Sequence, residues 1–219
     1  MAMNFEQARQ NMVENQVRPW EVLDGRVLQV LGRVRREDFV APTHRKLAFA
    51  DACLPLGHGE VMMKPVVEGR VLQALDLQPT ERVLEIGTGS GFLTACLAGL
   101  CAHVTSVDQH ADFTAAAGQR LAAAGVDNAS VVTGEAVLAW QPNELFDAVV
   151  VTGAVFQVPG RFFGWLKPDG RLLAVRGRSP AQQVVLLTQE GHGNAREEIL
   201  FETDLPYLTH AEPPHAFVF

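Results

Sequence analysis

Apolar residues along this chain follow two habits: short unbroken runs that stop at a turn residue, and single positions spaced three or four apart. Val83-Leu84-Glu85-Ile86, Val104–Val107, Ala129–Val132, Asp147–Val151 and Arg171–Val175 are of the first kind. Such runs predict strands buried on both faces. Helical stretches lie between them. Phe92–Ala98 is helix-compatible, and the Ala-rich segment 111–124 places Phe113, Ala117 and Leu121 four apart, with Gly125 as C-cap. Phe162–Leu166 predicts a short helix before a turn at Lys167-Pro168-Asp169-Gly170. Val184–Thr188 and Glu198–Glu202 follow without a helix between them, which predicts an antiparallel hairpin at the sheet edge. Strands alternating with helices imply an α/β fold built on a doubly wound, mostly parallel, Rossmann-like sheet.

The front of the chain is helical instead. Asn4 can cap a helix with Gln7 as its reciprocal partner, and Phe5, Ala8 and Met12 share one face. Pro19 interrupts, and a second helix is expected from about Glu21, carrying Leu23, Val27, Val30, Leu31 and Val34. Arg33, Arg35 and Arg36 would close its last turn, where positive charge suits the helix dipole. Residues 47–65 are punctuated by glycine, histidine and proline and predict a loop with extended pieces. Pro65 suits the first position of a helix bearing Val67, Val71 and Leu75. The expected organisation is a helical cap and active-site loop over residues 1–64 and a cofactor-binding domain over 65–219, together one structural unit.

The first strand ends in Gly87-Thr88-Gly89-Ser90-Gly91. Strand, glycine loop and helix open a nucleotide-cofactor fold, because glycines allow the turn and let a ligand approach the backbone. A dinucleotide fingerprint needs its third glycine one residue later than Gly91, and Phe92 holds that place. Glu85 would repel a phosphate and suits a cation. Asp108 ends the next strand about twenty residues on, where a carboxylate takes ribose hydroxyls. A nucleoside with a cationic, phosphate-free tail satisfies both acids, and S-adenosyl-L-methionine is such a molecule. Glu135 and Thr152 fall at the carboxyl ends of later strands, where ligands bind in these sheets.

Composition narrows the class. With 219 residues, 47% hydrophobic and 20% charged, the chain has an ordinary globular make-up. Its net charge of −7 argues against a general nucleic-acid binder. Residues 1–50 carry eight Lys/Arg against six Asp/Glu, a balance of +2, which reads as a solvated helical face. Cys53, Cys96 and Cys101 form neither a metal pattern nor a disulfide framework and predict reduced core thiols in a cytoplasmic protein. No run is long enough for a membrane span. His192, His210 and His215 lack ligand spacing, so no metal site is expected.

Several segments resemble the protein-L-isoaspartate O-methyltransferase family: Arg36-Glu37-Asp38-Phe39-Val40, Ala48-Phe49-Ala50-Asp51, Leu54-Pro55-Leu56-Gly57-His58-Gly59, the glycine strand-loop, Phe146-Asp147-Ala148, Val151-Thr152 and Leu166–Leu172. The resemblance implies a methyltransferase sheet in which Glu85, Gly87, Thr88, Gly89 and Gly91 surround the methionine end of the cofactor. Asp108 would hold the ribose and Glu135 would contact the adenine, with Gln109, Ala136 and Thr152 also binding the cofactor. Glu135 stands where the family usually has Asp. The acceptor would meet His58, Gly59, Glu60, Val61 and Met63, and would be an isoaspartyl residue of a protein or peptide. The family pattern after the second loop glycine is Gln-Thr-Ile-Ser-x-Pro. This chain has Glu60-Val61-Met62-Met63-Lys64-Pro65, so Met63 replaces the Ser that stands beside the transferred methyl.

Three functions compete on these residues. The first is methyl transfer to a damaged-protein carboxylate or to a changed acceptor, such as an unknown small molecule. The second is a catalytically silent cofactor binder; the third, a nicotinamide oxidoreductase, is disfavoured by the early third glycine and Glu85. Smaller features divide similarly. Met62 and Met63 could form an acceptor wall or core beneath a lid. His58 could act as a base or be an exposed loop residue. Trp20 and Trp165 read as packing residues, and the apolar tail Pro213–Phe219 as a segment docked on the body.

Overall fold

The computed structural model describes residues 3–190 and 194–214. Helix α1 (Phe5–Met12) begins where Asn4 Oδ1 accepts from the Gln7 backbone N–H at 3.2 Å. It runs on through a wide turn at Val13–Val17 and a 3₁₀ turn at Arg18–Trp20. Helix α2 (Gly25–Arg33) starts later than the sequence suggests. Glu21 is left-handed (φ 63°), and Asp24 Oδ1 takes the Arg26 N–H at 2.8 Å as the actual cap. Leu23 therefore precedes the helix and is 72% exposed. Of the three arginines expected in its last turn, only Arg33 is there; Arg36 is fully buried in a 3₁₀ turn.

Two short antiparallel strands, β1 (Leu54–Gly57) and β2 (Glu60–Met62), form a hairpin ahead of α3 (Pro65–Leu75). The main sheet follows: β3 (Arg82–Ile86), α4 (Phe92–Ala98), β4 (His103–Asp108), α5 (Ala111–Ala123), β5 (Ala129–Thr133), β6 (Phe146–Val155), α6 (Gly160–Phe163), β7 (Leu166–Arg176), β8 (Gln182–Glu190) and β9 (Asn194–Thr203). The spatial order is β5-β4-β3-β6-β7-β8-β9, parallel as far as β7 and antiparallel beyond. The short helix lies two residues earlier than expected, and Lys167–Gly170 is absorbed into β7 as an irregularity with Asp169 left-handed (φ 61°).

Side chains of a strand point alternately to opposite faces, and the sequence feeds two cores accordingly. Val83, Ala148, Val150, Leu173 and Val175 join one core with α1–α4, whereas Leu84, Val149, Val151, Leu172 and Ala174 join another with Phe162 and Trp165. The N-terminal helices share the first core through Met12, Val17, Leu28 and Leu31. The front of the chain is more than a solvated face. Arg9 is buried against Glu37 at 2.9 Å and the Gly32 carbonyl at 2.8 Å. Trp165 packs edge-on to Trp140, but Trp20 is half exposed and is not a packing residue. Cys96 and Cys101 are buried free thiols and Cys53 is half-buried. His192 and most of the apolar tail, residues 215–219, lie outside the described residues.

Candidate active site

Strand order reverses at β3: β4 and β5 lie on one side of it, β6 and β7 on the other. Open parallel sheets bind ligands at such a switch point, beyond the carboxyl ends of the strands. A cleft opens there, walled by the ends of β3, β4, β5 and β6, by the β1–β2 hairpin, and by Leu208 and Thr209 of the C-terminal segment.

The glycine loop is shaped by close approach. Gly87 has φ 101°, and a Cβ at this position would lie 2.2 Å from Thr152 Oγ1. That hydroxyl donates to the carbonyls of Ile86 at 3.0 Å and Gly87 at 2.6 Å, tying β6 to the loop. Gly91 (φ 84°) packs where an added Cβ would meet Ala117 of α5 at 3.0 Å. Asp108 fastens the loop from β4, its Oδ2 accepting from Gly89 N–H and its Oδ1 from His110 N–H, both at 2.9 Å.

Glu85 is fully buried at the end of β3. Its Oε2 accepts from Thr94 Oγ1 and, at 2.6 Å, from Ser106 Oγ, which also contacts Thr88 Oγ1 at 2.6 Å. Its Oε1 has no partner among the described residues. Burial pushes the Glu85 acid up to about 8, with the two hydroxyls pulling it down and Asp108 and Glu68 pushing it further up. A buried acceptor without a donor costs free energy, so this oxygen is poised for a ligand that brings a donor or a positive charge.

The remaining candidates divide by position. Gln109 donates to Thr209 Oγ1 at 2.6 Å, and Ala136 is buried in the cleft wall. Glu135 caps its own turn, Oε1 and Oε2 accepting from Val137 and Leu138 N–H at 2.8 Å each. Glu60, Val61 and Met63 line the cleft; His58, Gly59 and Gly91 do not. His58 points instead across to α5, within 3.0 Å of Asp112 Oδ2. Met62 and Met63 are both buried and both line the cleft. Burial pushes the Glu60 acid upward, with His110 and His58 opposing and Asp108 adding to the rise.

Arg36 underlies this hairpin, and neither it nor its acidic partner was among the candidates. Fully buried, it donates Nε to the Ala48 carbonyl at 2.7 Å and Nη2 to the Met63 carbonyl at 2.6 Å, and pairs through Nη1 with buried Glu68 of α3. Its guanidinium lies 4.7 Å from the centre of the Phe92 ring. Burial pushes the Glu68 acid upward against the pull of Arg36. An acidic residue on the apolar face of α3 is the one sequence signal that could have exposed this pair. Thr94, Ser106, Leu208 and Thr209 carried none.

The model of the Protein-L-isoaspartate(D-aspartate) O-methyltransferase family matches residues 7–210. A protein-L-isoaspartate O-methyltransferase of Myxococcus xanthus is 39% identical over 77% of this chain and 79% of its own length. One of Methanoculleus marisnigri is 37% identical over 84% of each. A Plasmodium falciparum structure assigned to the same enzyme class, in complex with S-adenosyl-L-homocysteine, superposes with a TM-score of 0.80 over 92% of this chain and 98% of that one. At 19% identity that likeness shows the fold.

Proposed function

The chain belongs to the protein-L-isoaspartate O-methyltransferase family, and on that premise we propose that it is an S-adenosyl-L-methionine-dependent methyltransferase whose acceptor is a carboxylate of damaged protein or a changed acceptor. One observation carries the cofactor half: the unpartnered Glu85 Oε1, buried at the end of β3 beside a glycine loop that turns through positive φ at Gly87, Gly89 and Gly91. The cofactor supplies an electrophilic methyl on a positively charged sulfur. Glu85 would answer that charge, Gly87 and Gly89 would let the ligand lie against the backbone, and Asp108 would keep the loop open while facing the ribose. Gly134 and Ala136 would face the adenine.

A carboxylate acceptor is ionised at neutral pH and needs no general base. The protein's task is then to hold the acceptor oxygen in line and exclude water. Leu56, Val61, Met62 and Met63 supply the apolar wall that does so. The acids Glu60, Glu68, Glu85, Asp108 and Glu135 line the cleft, and no Lys or Arg does among the described residues. An anionic acceptor would therefore find no fixed cation, and Met63 offers it no hydroxyl. Both facts support a changed acceptor.

No helix of the described residues is long and apolar enough to cross a membrane. The three free thiols and the acidic net charge support action in the cytoplasm on a protein or small-molecule acceptor rather than on nucleic acid.

The test is labelled methyl transfer to an isoaspartyl peptide by wild type and Met63→Ser, alongside binding of S-adenosyl-L-homocysteine. A hydrogen bond to a charged acceptor contributes about 1.5–3 kcal/mol, so the variant should gain about ten- to a hundredfold in turnover. Cofactor binding without turnover by either form, on any acceptor tried, would select the silent binder. Absence of cofactor binding would defeat the methyltransferase reading.

A further inference from the structure

The mouth of the cleft carries a cluster to which methyl transfer assigns nothing. His58 sits at the tip of the β1–β2 hairpin in a left-handed conformation (φ 53°), between Gly57 (φ 116°) and Gly59 (φ 84°). That turn lifts its ring over the start of α5. There the His58 and His110 rings stack, 4.0 Å between centres and 9° from parallel, both against the edge of Phe113. Asp112, in the first turn of α5, completes the group. One donor atom from each of His58, His110 and Asp112 lies within 4.8 Å of the other two.

Two imidazoles and a carboxylate form the set that zinc-class ions take, with a fourth position left for water. Donors around a tetrahedral Zn²⁺, at bond lengths of about 2.0–2.2 Å, stand roughly 3.3 Å apart. His58 Nε2 and Asp112 Oδ2 already stand 3.0 Å apart. The His110 ring has only to turn, and the exposed side chains of His58 and Asp112 are free to follow. Gln109, whose amide donates to Thr209 Oγ1, stands 3.3 Å from His110 Nε2 and would give up that contact as the ring turns. The positive end of α5 opposes any cation, so the Asp112 charge is essential to the site.

We propose that His58, His110 and Asp112 bind one divalent transition-metal ion of the zinc class, which ties the β1–β2 hairpin to the first turn of α5 at the mouth of the cleft. The ion would be a clasp on the hairpin and takes no part in methyl transfer.

The test is calorimetric titration of the full chain, stripped with chelator, with Zn²⁺ at pH 7.5. His58→Ala and Asp112→Asn are titrated alongside; the second is nearly isosteric and guards against misfolding. His103→Gln, at the opposite end of β4, is the control. One equivalent should bind wild type and control with micromolar affinity. Each site variant should weaken binding about tenfold or more. Failure of wild type to saturate below millimolar Zn²⁺, or equal affinity in both site variants, would overturn the proposal. In the latter case the ion sits elsewhere, with Cys53 the first suspect.

Discussion

Replacing Glu85 by Gln tests the cofactor half of the site most directly. In the ligand-free fold the Glu85 acid is pushed up to about 8 from an ordinary 4.5, chiefly by burial. Keeping it ionised therefore costs about 5 kcal/mol, at 1.36 kcal/mol for each tenfold in proton affinity. The sign follows from linkage. The folded chain holds a proton that the unfolded chain releases above pH 4.5, so the neutral carboxyl's contribution to stability is fully present below pH 4.5 and is lost as pH rises through about 8. A cationic ligand reverses the preference, because it binds the ionised carboxylate and expels the proton. Cofactor affinity should then rise from pH 6 to pH 8 by about fiftyfold, the factor by which the ionised fraction of a group at about 8 increases over that range.

Calorimetric binding of S-adenosyl-L-methionine in two buffers of different ionisation enthalpy reads this twice, as Kd against pH and as protons released. Wild type should release nearly one proton at pH 6.5. Glu85→Gln, which cannot become charged, should bind more weakly than wild type, release no proton and show no rise in affinity from pH 6 to pH 8. A wild-type Kd that is flat from pH 6 to pH 8, or a pH dependence that survives in Glu85→Gln, would refute the reasoning. The surviving slope would then belong to Glu68, which shares the cleft and whose acid burial pushes up to about 7.

Arg36→Met should destabilise the fold by about 3–5 kcal/mol by stranding buried Glu68, lowering Tm by about 6–20 °C in a chain of this size. The loss should be larger at pH 8 than at pH 6, where Glu68 can take up a proton, and Glu68→Met added to it should recover most of the loss. Single and double variants equally unstable at both pH values would show that the carbonyls of Ala48 and Met63, rather than Glu68, need the guanidinium. Gly87→Ala would bring a Cβ to 2.2 Å from Thr152 Oγ1 at a φ of 101°. Backbone strain of this kind costs about 1–3 kcal/mol before any clash, so S-adenosyl-L-homocysteine affinity should fall more than about tenfold; unchanged affinity would show that the loop does not carry the cofactor.

The parallel sheet was legible because its strands are short apolar runs closed by turn residues. The alternation within each run, Val83 to one core and Leu84 to the other, needs no distant information. Boundaries were harder wherever an apolar residue is exposed. Leu23 fits the helical spacing of α2, yet the chain spends Asp24 as a cap and leaves Leu23 outside, where its backbone N–H donates to Gln73 Oε1 at 2.6 Å, fifty residues away. Arg36 misled in the opposite sense. Its charge suited an exposed helix end, but a carboxylate and two carbonyls from three other segments neutralise it in the interior. Contacts of that range leave no local periodicity, and the same holds for Thr209 reaching Gln109 across the cleft.

The two halves of the site differ in legibility for a physical reason. A cofactor loop is constrained by backbone geometry, so its glycines and its following carboxylate must recur at fixed offsets, and Glu85, Gly87, Gly89 and Asp108 all reach the cleft. An acceptor pocket is constrained only by the shape and charge of what enters. The β1–β2 hairpin keeps its two ends fixed, with Leu54 paired to Met62 and the Met63 carbonyl held by Arg36, while the side chains between are free to vary. The scaffold that would present a Ser hydroxyl is thus intact, and it presents a thioether beside Glu60. With its carbonyl held by Arg36, Met63 can be exchanged for Ser without moving the loop, so Met63→Ser is the direct test of what this hairpin accepts.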